Sequence, residues 1–341
     1  MSRWKSRLRG FCGLALVTLS LTLGAAEKAP DRAKVTPKPQ AVEVKLPATL
    51  EPLGTYPRAP HNWLEAQVAL AREGFSCGAI DGVPGFQTIA ALQAYQKKEN
   101  IPLTEWLDDE TRDHLLLYLP ALAPITLTSE DLASLQPLSP TWLGKSQQTS
   151  LAYESALELV AERAHASRAF IRRLNPDVDW TKVIAGQLIT APSTERRAAP
   201  GIAARLHVYL SAHVLEVNDA AGGVIAHFPV SIAKRVDKRP VGELHVSVVI
   251  QNPDYTFDPE VFPESAEAQQ LGRKLVLPPG PNNPVGVAWV GLDLPGYGIH
   301  GTPQPEMVGR TESHGCFRLA NWDARALLAY AWVGLPVVVE P

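Results

Sequence analysis

Gly298-Ile299-His300-Gly301-Thr302 and Ser313-His314-Gly315-Cys316-Phe317-Arg318 set two histidines and a cysteine, each beside a glycine, into one short stretch. Glycine lets backbone approach a ligand closely, so this stretch asks for tight turns around side chains that exchange protons. A thiol attacks a carbonyl only as thiolate, and it needs a base and a way of lowering its pKa. His300 is the candidate base. The Gly315 and Cys316 amides, in a tight turn, can stabilise the oxyanion that follows. A lone cysteine is most often a small buried residue of a core strand. Here Ser, His and Arg make the flanks too polar for such a strand, so a functional cysteine is the preferred reading.

With 341 residues, two or three domains are expected. An apolar content of 45% is ordinary for a globular chain, and a net charge of −3 makes no case for nucleic acid. Arg3, Lys5, Arg7 and Arg9 precede an apolar run from Phe11 to Leu23, followed by Gly24-Ala25-Ala26. Residues 1–26 therefore read as an export signal. The alternative, an uncleaved anchor, is disfavoured because the run is shorter than the roughly 20 residues of a spanning helix. Cys12 lies inside the run, which weakens a lipoprotein reading. No membrane span is expected after cleavage. Cys77 and Cys316 would remain, and pairing them would quench the nucleophile. Cys77 is expected to be buried and Cys316 to be a free thiol, even in an oxidising compartment.

Residues 27–60 carry Pro30, Pro37, Pro39, Pro47, Pro52, Pro57 and Pro60 and read as a spacer. Residues 61–119 show a helical face of Leu64, Val68 and Ala71 ended by Gly74, and a turn at Ile80–Gly85. Ile89, Leu92 and Tyr95 form a second face, and a cap at Leu107–Thr111 leads into Leu115, Leu116 and Tyr118. Residues 120–146, with Pro124, Pro137 and Pro140, read as a linker. In 147–192 a first strand near Gln147–Ala152 is expected, then helices over Tyr153–Arg163 and Ser167–Leu174, then a strand over Gln187–Pro192. Thr194–Gly201 is a polar connector.

From Ala204 the pattern turns to strands, with a hairpin at Asn218–Gly223. Pro253–Pro279 is long and irregular, and loops of that length are usually functional, so it reads as a flap. A helix opens at Asn321-Trp322-Asp323, and Val337–Val339 is the last strand. The expected fold is multi-domain: a small three-helix domain, a small α+β module, and a mostly β domain at 204–341 with the nucleophile just before a helix. His207, His213, His227 and His245 share no spacing and read as ordinary residues.

The His-Gly and Ser-His-Gly-Cys-Phe-Arg-Leu elements resemble the signature of the L,D-transpeptidase (YkuD-like) catalytic domain. Arg239–Leu244 and Leu277–Gly286 resemble further segments of that family, the first with Leu in place of an aromatic. Gly78–Gly85, Gln87-Thr88 and Ala90–Gln96 resemble a peptidoglycan-binding domain, with Asp81 bracing the loop rather than touching ligand. Leu-Asn-Pro at 174–176, Ala-Gly-Gln at 185–187 and Pro192 resemble a LysM module. That module lacks the usual Gly-Asp turn, and a packing adaptor is the alternative.

The resemblance implies acyl transfer between peptidoglycan stem peptides. Cys316 would attack the third residue of a donor tetrapeptide, D-alanine would leave, and the thioester would pass to an amine. Water as acceptor would make an L,D-carboxypeptidase. A wall-binding scaffold with an inactive catalytic domain is the contrasting reading, against which the intact His300, His314, Gly315, Cys316 and Arg318 set argues. His300 would be the base, oriented by a backbone carbonyl such as that of Gly301, or would merely brace the turn. His314 would shape the turn and contact substrate, or tune the thiolate. Arg318 would pair with a donor carboxylate or form a structural ion pair. Ser313 and Gly301 complete the substrate-binding set, while Trp289 and Tyr297 line the groove or belong to the core. His300, His314 and Cys316 are of metal-ligand type, but zinc would occupy the thiolate and no fourth ligand is evident, so neither metal nor cofactor is expected. The partners implied are stem peptides, glycan strands and, as a further acceptor, a wall-anchored protein. The setting implied is the periplasm or cell wall.

Overall fold

The computed structural model describes residues 56–195, 201–261, 266–310 and 315–341. The expected export signal, the spacer up to residue 55, part of the flap, Ser313 and His314 lie outside the described residues.

Three helices open the described chain: α1 (Trp63–Glu73), α2 (Phe86–Glu99) and α3 (Asp109–His114). Asn62 caps α1 by accepting from the Glu65 amide, and Gly74 ends it at φ 89°. Asp108 caps α3 through the Thr111 amide. Then come β1 (Leu122–Thr126), the single-turn α4 (Ser129–Ala133) and α5 (Trp142–Ser146), α6 (Ala156–Arg163), α7 (Arg168–Leu174) and β2 (Leu188–Pro192). Leu64, Leu92, Leu115, Leu159, Phe170 and Ile189 belong to one apolar cluster, so the first helices and the unit running from β1 to β2 share a core.

That unit differs from the sequence expectation. The strand pairing antiparallel with β2 is Leu122–Thr126, not a segment near 147–152. Pro124 makes the segment read as linker, yet a two-stranded sheet has only edges, and edge strands tolerate proline. The backbone near residue 151 bonds elsewhere: the Leu151 amide donates to Pro279 O at 2.9 Å, and its carbonyl accepts from the Asn282 amide at 2.9 Å.

The rest of the chain supplies β3 (Arg205–Tyr209), β4 (Val214–Asn218), β5 (Val224–Pro229), β6 (Gly242–Gln251), β7 (Tyr255–Phe257), α8 (Ala266–Leu271) and β8 (Leu275–Leu277). It ends with β9 (Ala288–Leu292), β10 (Gly298–His300), β11 (Phe317–Arg318), α9 (Asn321–Leu327) and β12 (Pro336–Glu340). One eight-stranded sheet runs β11-β10-β9-β6-β12-β3-β4-β5, parallel at β10/β11 and β12/β3 and antiparallel elsewhere. Alternate residues such as Leu206, Val208, Leu215 and Val217 bury against Leu327 and Tyr330. A helical front and a mostly β catalytic region are what the sequence leads one to expect. The expected flap contains ordered structure, the β7–β8 hairpin and α8. No described helix is long and apolar enough to cross a membrane.

The two regions are joined across the β5 edge, where the Ser76 amide donates to His227 O and the His227 amide to Gly74 O. Unpaired edges invite adventitious pairing, and this contact covers one. Beside it, Ser76 Oγ donates to Asp323 Oδ2 at 2.9 Å. Burial pushes the Asp323 carboxyl up to about 8, against the pull of that hydrogen bond. Glu162 on α6 is pushed up to about 7 by burial, opposed by Arg325 and by hydrogen bonds from Asn321 and Tyr153.

A carboxyl raised in the folded state keeps a proton that the unfolded chain releases. Its contribution therefore falls as pH rises from the ordinary carboxylate range to the raised value. His165, His227 and His300, depressed by burial to about 3, 3 and 4, act oppositely, but only below the ordinary imidazole value of about 6.5. From about pH 6.5 to about pH 8 the carboxyls act unopposed by these histidines. The thermal midpoint is expected to fall across that window, and Asp323→Asn to flatten the fall. Equal slopes in both proteins would mean that Asp323 is not the group responsible.

Candidate active site

The parallel pairing of β10 and β11 sets Ile299 beside Phe317 and His300 beside Arg318. Side chains alternate across a strand. Ile299 and Phe317 enter the core, each 1% exposed. His300, Cys316 and Arg318 line one cleft of about 460 Å³, together with Gly315, Trp289, Tyr297, Tyr255, Lys238 and Trp142. On β9, Trp289 is the cross-strand partner of His300, and their rings stack at 5.5 Å and 22°. Gly298 makes room for that indole: a Cβ there would lie 2.6 Å from the Trp289 ring.

His300 Nδ1 lies 2.6 Å from Gly301 O. A carbonyl only accepts, so Nδ1 carries the hydrogen and the neutral ring keeps its lone pair on Nε2. Burial pushes the imidazole down to about 4, with the Gly301 bond pulling upward and the Arg318 charge pushing further down. At neutral pH it is an uncharged base. Burial pushes the Cys316 thiol up, while a backbone hydrogen bond with Gly298 and the Arg318 charge pull it down. The thiol also contacts Gly296 O at 3.5 Å. Burial thus favours the neutral form of each group. Burial lowers the Arg318 pKa, and Cys316 and Tyr255 raise it. Among the described residues, Arg318 Nε is buried without a hydrogen-bond partner.

Gly301 sits behind His300 rather than on the cleft wall. It is buried because Gly286, Val287 and Asn321 press against its backbone. Asn321 Nδ2 donates to Pro281 O at 3.0 Å, and its Oδ1 accepts from the Val287 amide at 3.3 Å. Cys77 is buried and free. Trp289 and Tyr297 line the cleft. The sequence reading did not single out Trp142, Tyr255, Lys238 or Asn321. Tyr255 had a signal in the long irregular loop, and Asn321 in its place at a helix start. Trp142, in a segment read as linker, had none. Among the described residues, no three His, Cys, Asp or Glu side chains are grouped to hold a metal ion.

Residues 203–339 match the family described as "L,D-transpeptidase catalytic domain", and residues 61–115 match "Putative peptidoglycan binding domain". This chain therefore carries a YkuD-type catalytic domain behind a domain of the peptidoglycan-binding type. It is 27% identical over 185 residues to "Putative L,D-transpeptidase YkuD" of Bacillus licheniformis, covering 54% of this chain and 93% of that protein. It is 32% identical over 117 residues to "Putative L,D-transpeptidase YqjB" of Bacillus subtilis, covering 33% and 57%. A solved L,D-transpeptidase from Mycobacterium smegmatis is 18% identical, with a TM-score of 0.33, and the match covers 52% of this chain and 86% of that one. A likeness that slight carries no weight for fold or function.

Gly286 combines φ 63° with a Cβ position 2.7 Å from the Gly301 backbone. Gly286→Ala is expected to lower stability by about 1–3 kcal/mol in urea unfolding. An unchanged midpoint would mean that the close approach behind His300 is not required.

Proposed function

We propose that this protein is an exported cysteine acyltransferase that forms peptidoglycan cross-links by L,D-transpeptidation, acting in the periplasm or at the cell wall. The observation that carries the reading is the cleft in which Cys316, His300, Gly315 and Arg318 meet within a YkuD-type domain. Cys316 Sγ attacks the carbonyl of the third residue of a donor tetrapeptide stem while His300 Nε2 takes the thiol proton. The Gly315 and Cys316 amides stabilise the tetrahedral oxyanion. Its collapse expels D-alanine, whose amine takes the proton back from His300, and leaves a thioester on Cys316. An amine of a neighbouring stem attacks, His300 accepts its proton, and the returning thiol closes the cycle. Arg318 pairs with a donor carboxylate. Ser313 binds substrate, His314 contacts it and assists Cys316, and Gly301 acts through His300.

The domain of the peptidoglycan-binding type and a LysM-like module hold the enzyme on glycan strands. We set the first strand of that module at β1, which pairs antiparallel with β2, and its two longer helices at α6 and α7. Stem peptides are the substrates, and a wall-anchored protein is a further acceptor.

Mass spectrometry of the full chain with a disaccharide-tetrapeptide tests the activity. Cross-linked dimer and free D-alanine are expected, both absent from Cys316→Ala. Tripeptide alone would assign a carboxypeptidase, and neither product nor an acyl adduct would leave a wall-binding protein.

The pH profile tests the base. The acid limb of kcat/KM reports a group of the free enzyme, and for a buried neutral His300 it is expected near about 4. The His300 contribution is kept above that value and lost as pH falls through it. A limb at the ordinary imidazole value of about 6.5 would remove His300, as described, from the role of base.

A further inference from the structure

The active cleft is not built by the catalytic match alone. Trp142 lines it and lies 61 positions before residue 203, where that match begins. We propose that Trp142, carried on the segment 137–151, supplies a substrate-binding wall of the cleft and holds the aliphatic part of a carboxylate-bearing peptide. The inference rests on the acyl-transfer reading for the identity of the peptide, but not for the existence of the wall.

The segment is fixed at both ends. At the start of α5 the Glu267 carboxylate accepts from the Trp142 and Leu143 amides, each at 3.0 Å, and Thr141 accepts from the Gly144 amide. Helix N-termini leave such amides unpaired, so an acid from α8 ties α5 to the β7–β8 hairpin. At the other end, Leu151 is clasped between Pro279 and Asn282. Gly280, at φ 145°, passes so close that a Cβ would lie 2.2 Å from the Leu151 carbonyl. Between these ties Leu151, Phe257, Leu275 and Leu277 form a separate apolar cluster, against which Trp142 and Leu143 pack.

The indole itself is held. It stacks on Phe257 at 4.4 Å and 17°, and Lys145 Nζ lies 5.4 Å from its ring. A side chain locked by packing is suited to binding because little rotamer freedom remains to be lost. Around it the cleft is apolar at Val261, Pro284 and Val285 and cationic at Lys238 and Arg318. Such a mixture fits a ligand with both methylene groups and carboxylates. A free cation or a bare sugar does not combine the two.

Two measurements on the full chain test this, with a disaccharide-tetrapeptide as probe. In turnover, Trp142→Ala is expected to raise KM about tenfold or more, with kcat changed less than threefold and Trp142→Phe restoring most of the loss. Leu143→Ala, which thins the same cluster, is expected to lower the unfolding midpoint but leave KM within about twofold. An unchanged KM in Trp142→Ala overturns the proposal. So does a KM rise in Leu143→Ala as large as that in Trp142→Ala, because packing alone would then explain the effect. In calorimetry with the Cys316→Ala background, adding Trp142→Ala is expected to weaken Kd by a similar factor. If the wild type fails to turn over but this weakening is seen, the acyl-transfer reading falls and the binding wall stands. Equal Kd values with and without Trp142 overturn the wall, whatever the turnover shows.

Discussion

The parallel pairing of β10 with β11 is the contact on which the site depends. It sets residue 300 beside residue 318, and the two-residue period of a strand then decides the rest. Ile299 and Phe317 anchor the pair in the core, and His300, Cys316 and Arg318 line the cleft. Parallel strands cannot be joined by a tight hairpin. The chain between them therefore makes a long excursion, and its Pro305–Met307 turn is tied outward through Glu306 to Arg168, at 3.0 Å, on α7. That turn is thus braced by a part of the chain outside the matched catalytic domain.

Burial sets the protonation states. His300 is 4% exposed, and the cost of charging it in that environment keeps the ring neutral. Burial also pushes the Cys316 thiol up, against a backbone hydrogen bond with Gly298 and the Arg318 charge. The Gly301 carbonyl fixes which nitrogen is free, and Asn321 with Gly286 fixes that carbonyl. Among the described residues, a backbone carbonyl, not a carboxylate, is the hydrogen-bond partner of the His300 ring.

The front modules are also structural parts of the catalytic unit. The Phe75–His227 bridge continues the sheet edge, and Ser76 reaches Asp323. Asn282 joins the segment after β8 to Ala152 and Glu158, at 2.8 Å each.

Much of this was legible in the sequence, because the information was local. Glycine and the capping residues Asn62 and Asp108 mark helix ends within a few positions, and alternating Val and Leu announce strands wherever one face is buried. His300, Gly315, Cys316 and Arg318 stand in one short block, so their meeting needed only one connection and one strand pair. The partner of β2 was not legible. Proline marks a linker and an edge strand alike, and only the neighbouring chain distinguishes them. Nor was Trp142, which reaches Phe257 and the cleft across more than a hundred residues. Contacts of that kind are selected by shape and burial in the assembled molecule, and an indole beside prolines gives no local sign of what it will face.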